Sequence, residues 1–152
     1  MKKLLLTAVV ALSTLVASAQ FMVVTTYDGD QEESIDKITA NLGVGYMVND
    51  AFTVGLKAAK VYTAADLTAG TAADTADGYD LWVRYNIAQV EGAYASLQMP
   101  TTDASDNMKI GVGFAFNVWN GLYVEPNYTM PTKEDADGNR EGSFNIGVSY
   151  RF

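Results

Sequence analysis

From Phe144 to Phe152 the chain alternates without a break. Phe144, Ile146, Val148, Tyr150 and Phe152 are apolar, and Asn145, Gly147, Ser149 and Arg151 are small or polar. A period of two over this length predicts a β-strand with one apolar and one polar face. The large residues share one face and Gly and Ser the other, as in a barrel strand with lipid outside and a crowded lumen inside. The pattern recurs upstream. A strand is predicted over about Ile35 to Val48, with Ile38, Ala40, Leu42, Val44, Tyr46 and Val48 on one face and Lys37, Thr39, Asn41, Gly43 and Gly45 on the other. Phe52 to Tyr62, Gly78 to Asn86, Met108 to Val118 and Leu122 to Met130 alternate in the same way, and Phe21 to Tyr27 and Gln89 to Met99 do so weakly. Eight strands result.

The connections between them alternate in length. Asp28 to Ser34, Thr63 to Asp77, Pro100 to Asn107 and Pro131 to Gly142 are long; Asn49-Asp50, the turn near Ala88 and Trp119-Asn120-Gly121 are short. Short periplasmic turns and longer external loops are the rhythm of an up-and-down outer-membrane barrel. Strands of about 9–11 residues suit a tilted crossing of the bilayer. The N-terminus supports export. Lys2 and Lys3 precede the apolar run Leu4 to Val16, which ends at Ala17-Ser18-Ala19. This is the layout of a cleaved Sec signal peptide over residues 1–19. The mature domain is then 20–152. It contains no long unbroken apolar run, so it is either a soluble exported protein or a membrane barrel.

Composition narrows the chemistry. There is no Cys, which removes disulfides and thiolate sites, and no His, which removes the commonest general base and metal ligand. Net charge is -8, and more negative once Lys2 and Lys3 leave. An acidic chain without a basic cluster is a poor nucleic-acid binder. No enzymatic activity, cofactor or metal is expected.

The predicted inward face carries Lys37, Lys57, Asp80, Arg84, Glu91, Lys109, Glu125 and Arg151. In a barrel of eight strands the interior is just wide enough for side chains. Charges there must pair, because desolvation is costly. Strand direction puts Lys37, Asp80 and Lys109 near the external end, Lys57, Arg84 and Glu125 near the middle, and Glu91 and Arg151 near the periplasmic end. Each layer holds both signs, as a self-neutralising plug requires. Outward aromatics fall near strand ends: Tyr46, Phe52, Tyr85, Phe116, Tyr150 and Phe152 at one rim, Tyr27, Tyr62, Tyr79 and Tyr128 at the other. Two interfacial girdles are expected. Thirteen of the 18 carboxylates lie in the four long connections. A solvated, repulsive surface is the expectation, with binding of a divalent cation, Ca²⁺ or Mg²⁺, or of another surface ligand as the alternative. Asp135-Ala136-Asp137-Gly138-Asn139 echoes a calcium loop but lacks its spacing and downstream Glu.

With these elements in place, the mature chain resembles the small eight-stranded outer-membrane proteins of the OmpX and OmpA transmembrane-domain type. The sharpest local match is the C-terminal signal of that group, here Asn145, Gly147, Tyr150 and Phe152. The resemblance implies recognition by the outer-membrane barrel-assembly machinery of a Gram-negative cell envelope. The expected product is a monomeric all-β, eight-stranded antiparallel transmembrane barrel in outer-membrane lipid. Its lumen is filled by side chains, and its role is structural, adhesive or interactive. The alternatives are a narrow, porin-like channel for ions or small solutes, and a soluble periplasmic ligand-binding barrel.

Overall fold

The alternating segments close into one ring. The computed structural model describes residues 20–29, 33–63, 74–101, 108–135 and 137–152, with only the backbone described at 36, 60–63 and 74–77. The expected signal peptide, 1–19, lies outside the described residues, as do 64–73 and 102–107 in two of the long connections. The strands are β1 (Phe21–Thr26), β2 (Gly43–Met47), β3 (Phe52–Thr63), β4 (Asp74–Asn86), β5 (Ala93–Pro100), β6 (Lys109–Phe114), β7 (Phe116–Trp119), β8 (Leu122–Pro131) and β9 (Ser143–Arg151). Sequential neighbours from β1 to β6 and from β7 to β9 pair antiparallel, β6 also pairs with β8, and β9 pairs back onto β1, so the sheet closes into a ring.

The segments β6 and β7 are one strand. Both pair with β8, and Lys109 opposite Pro131 and Phe116 opposite Val124 keep the same register. The ladder skips Phe114 and Ala115, which fall opposite Pro126 and Glu125 in that register, and Pro126 has no N–H to give. Counted this way the barrel has eight strands.

The strands are staggered. Cα partners run from Phe21 through Tyr46, Val54, Val83, Leu97 and Ile110 to Met130. The row starts where β1 begins and ends near the far end of β8. It therefore climbs the barrel as it goes round, as closure with tilted strands requires. All seven residues are apolar, and they trace a greasy band on the outer wall.

Three expected boundaries move. The strand expected from Ile35 starts at Gly43, and a short helix, α1 (Asp36–Thr39), precedes it. Ile35, Ile38 and Leu42 also fit a helical spacing of i, i+3 and i+7, which the alternation concealed. Asp28 N–H donates to the Lys37 carbonyl at 2.8 Å, and Thr25 Oγ1 donates to the Ile38 carbonyl, tying α1 to β1. Lys37 thus stands on a helix in a connection and leaves the lumen set. Glu91 leaves it too. The strand expected from Gln89 starts at Ala93, and Glu91 is exposed in the turn before it. Gly92, at φ 80°, closes that turn. Third, β4 starts at Asp74, inside the low-complexity run expected to be loop. Its pairing with β3 runs on to Thr63 opposite Asp74. Neighbouring ladders stop earlier, at Lys57 opposite Gly43 and Asp80 opposite Pro100. The β3–β4 ribbon therefore overhangs the barrel.

The outer wall is apolar. Val44, Tyr46, Phe52, Val54, Leu56, Leu81, Tyr85, Ile110, Val112, Phe114, Phe116, Ile146, Val148 and Tyr150 are all exposed. The interior is mostly polar: Thr53, Asp80, Arg84, Glu125 and Ser149 are buried alongside Met22, Trp82, Ala93 and Tyr94. Small residues make room for the large ones. A Cβ on Gly45 would stand 2.7 Å from the Trp82 ring, and one on Gly113 would stand 2.5 Å from Tyr94.

Gly45→Ala is accordingly expected to destabilise the barrel by about 1–3 kcal/mol through overpacking. In a Trp82→Ala background the same change should cost little. Urea unfolding of the refolded barrel in detergent measures both. Additive effects of the two substitutions would show that Trp82 does not occupy this space.

Candidate functional site

Buried side chains of the barrel interior converge on Glu125. Arg84 on β4 meets it with both terminal nitrogens, Nη1 to Oε1 at 2.9 Å and Nη2 to Oε2 at 2.5 Å. On the shorter way round the ring, β5 and the β6–β7 strand separate β4 from β8, so this pair spans the lumen. Ser149 Oγ donates to Oε1 at 2.6 Å, and Tyr94 Oη lies 3.5 Å from Oε2. Arg151 Nη2 approaches Oε1 at 3.6 Å. One carboxylate thus serves two guanidinium groups, a hydroxyl and a phenol. Bidentate Arg–carboxylate geometry is what offsets the cost of burying both charges.

Aromatic rings complete the layer. The Arg84 guanidinium carbon sits 4.0 Å from the Tyr94 ring centre and 5.7 Å from that of Trp82. Arg151 stacks on Tyr123 at 4.0 Å. Weakly hydrated guanidinium groups favour such ring faces. Trp82 Nε1, Arg84 Nε and Arg151 Nε are buried with no hydrogen-bond partner among the described residues. A small gap of about 80 Å³ lies beside Trp82, Arg84, Tyr94 and Glu125.

On the long-connection side of the plug the lumen widens. A cavity of about 450 Å³ is lined by Lys57, Lys109, Gln98, Asn127, Asn145 and Thr129, with Tyr27, Asp28, Gly29 and Phe144 at its mouth. Lys57 Nζ donates to Thr26 Oγ1 at 3.2 Å. Gln98 Nε2 donates to Asp80 Oδ2. Lys57 and Asp80 are register partners, so they share one height instead of falling in separate layers.

Of the eight charges expected in the lumen, Lys57, Asp80, Arg84, Lys109, Glu125 and Arg151 lie on inward strand positions. Arg84, Glu125 and Arg151 form one cluster, and Lys57, Asp80 and Lys109 lie above it. The expected partner of Arg151 was Glu91; with that residue in a turn, Arg151 turns to Glu125. Tyr94, Ser149, Trp82 and Tyr123 were not singled out. Parity with Arg84 and Glu125 on their own strands was the signal for Trp82 and Tyr123.

The four residues matched to the assembly signal divide by face. Asn145 points inward, its Nδ2 donating to Thr129 Oγ1 at 3.3 Å, and Gly147 is buried opposite Glu125. Tyr150 and Phe152 lie at the short-turn end with ring centres 4.9 Å apart. Phe21 and Tyr46, and Phe52 and Tyr85, also pair at that end, at 5.3 and 5.0 Å. Exposed Trp119 joins this rim, and Tyr27, Tyr79 and Tyr128 are exposed toward the other. The Tyr62 side chain is outside the described residues. In the loop that echoes a calcium site, Asp135 Oδ1 accepts from Asp137 N–H at 2.9 Å and Asn139 N–H at 2.8 Å. That oxygen caps its own turn. No family model, curated protein or solved structure matches this chain.

Glu125→Ala would strand Arg84 in the lumen. Breaking such a buried pair costs about 3–5 kcal/mol. Glu134, by contrast, pairs with Arg140 at 3.2 Å with both side chains about half exposed. Exposed pairs contribute about 0–1 kcal/mol. Urea unfolding in detergent is expected to place Glu125→Ala far below the parent and Glu134→Ala beside it. Equal midpoints for the two variants would refute the plug.

Proposed function

We propose that this protein is a monomeric outer-membrane β-barrel, exported by a signal peptide at residues 1–19, with a side-chain-filled lumen and a structural or surface-interaction role. The observation that carries this reading is the inverted distribution of polarity. Leaving a large apolar side chain in water forgoes about 1.5–3 kcal/mol of burial each, and the outer wall has a full ring of them. A lipid solvent removes that deficit. Lipid also requires every backbone N–H and C=O to be paired internally, which a closed ring provides. The aromatic pairs at the short-turn end suit a membrane–water interface.

The plug favours a non-conducting barrel over a channel, because the Arg84–Glu125 pair crosses the path. The interactive part of the reading rests on the overhang. Beyond Lys57 and Asp80, β3 and β4 pair chiefly with each other among the described residues, leaving strand edges free to receive a partner. The segment from Asn145 to Phe152 is the proposed contact for the barrel-assembly machinery.

Fractionation of cells expressing the full chain tests the placement. The mature protein is expected in the outer-membrane fraction, released only by detergent. Recovery from the soluble periplasm would favour a ligand-binding barrel instead. Ser34→Cys and Gly138→Cys should react with an impermeant thiol reagent on intact cells, and Asn49→Cys and Asn120→Cys should not. The opposite pattern would invert the topology. In planar bilayers the purified barrel is expected to carry no steady current, and a stable open level would point to the channel.

A further inference from the structure

The cavity above the plug has a composition that the plug does not need. We propose that it is a binding site for a small anionic sugar, a sugar acid or sugar phosphate, held by Lys57 and Lys109 and by the carboxamides of Gln98, Asn127 and Asn145.

The charge balance gives the first reason. The inward charges are Lys57, Arg84, Lys109 and Arg151 against Asp80 and Glu125, an excess of cations. Glu125 is committed to the two arginines. Asp80 is buried and holds Gln98. Among the described residues Lys57 donates to a neutral hydroxyl, and no carboxylate, its register partner Asp80 included, stands within ion-pair distance of either lysine. Two ammonium groups facing one cavity repel each other, and an anionic group between them relieves that repulsion.

The donor and acceptor pattern gives the second reason. Gln98 uses its amide nitrogen on Asp80, Asn127 uses its own on the Glu125 carbonyl at 2.9 Å, and Asn145 uses its own on Thr129 and the Ser143 carbonyl. Among the described residues no hydrogen bond to these carboxamide oxygens is seen, so they can serve as acceptors for a ligand in the cavity that the three residues line. The site thus pairs cationic donors with neutral acceptors, the complement of a ligand that carries one anionic group and several hydroxyls. At about 450 Å³ the cavity is in the range that small polar ligands fill. Asp28 lies at the mouth and opposes an anion. Asp28 is half-buried there, and against its single charge stand two lysines, Lys57 half-buried on the barrel wall and Lys109 exposed.

Calorimetric titration of the refolded mature barrel in a polyoxyethylene detergent tests this, with glucuronate, glucose 6-phosphate, glucose and inorganic phosphate as probes. Glucuronate and glucose 6-phosphate are expected to bind saturably at one site, and glucose and phosphate at least about tenfold more weakly, since each lacks one half of the recognition. Lys57→Met and Lys109→Met should each weaken glucuronate binding by about tenfold, the loss of one charge-assisted hydrogen bond. Glu134→Gln should leave it unchanged. Should Lys57→Met fail to fold, Lys109→Met, at an exposed position, carries the test alone. No saturable binding, equal affinity for glucose or phosphate, or full affinity in the lysine variants would each overturn the proposal. The measurement is made on purified protein in micelles, so its result is separate from where the cell places the barrel.

Discussion

The contact between Arg84 and Glu125 governs the interior. It joins two strands on different sides of the ring, and every other side chain in that layer is arranged around it. Two charges removed from water are tolerable only when their remaining hydrogen-bonding capacity is used and their shape is matched. Ser149, Tyr94 and Arg151 take up the carboxylate, and the Tyr94 and Trp82 rings face the guanidinium. Rings of that size inside a narrow barrel then dictate what stands opposite. Gly45, Gly55 and Gly113 lie where any side chain would collide with an indole or a phenol. The glycines of β2, β3 and β6 are therefore consequences of a charge pair several strands away.

The outer wall follows from the same choice. A lumen occupied by charges, amides and two large rings has no room for the aliphatic residues, so these are turned outward. Alternation along each strand ties the two faces together: to place Glu125 inside is to place Val124 and Pro126 outside. In a water-soluble barrel the parity would be set the other way, and a shift of one residue in any ladder would expose the charges and bury the aliphatics.

Parity is also why so much was readable. The alternation around Glu125, Arg84 and Lys109 places those residues inward without knowledge of any contact, and the lengths of the connections place the hairpins. What was hidden depended on forces that a period of two does not report. Lys37 alternates as a strand residue would, but its segment satisfies its backbone locally as a turn of helix. Glu91 was lost to a turn whose key is the backbone angle at Gly92. The gap opposite Pro126 is a missing donor, which only the register of the neighbouring strand turns into a break. The two-over-one sharing of Glu125 by Arg84 and Arg151 needs side-chain directions in three dimensions, and strand-by-strand heights misjudged it. Asn120 and Gly121 were legible as a turn, and the structure adds their positive φ values of 29° and 87°, the twist that a two-residue hairpin needs.

The pairing of β1 with β9 has a kinetic consequence. Val23 faces Tyr150 and Thr26 faces Gly147. The contacts that seal the ring thus join nearly opposite ends of the chain. Loop entropy for such contacts is met before any of their energy is recovered, which makes folds of this kind slow. Until β9 docks, the partial sheet has two raw edges, one of them β1 itself. Pairing those two edges is the contact that completes the ring, and it depends on the final strand of the described chain.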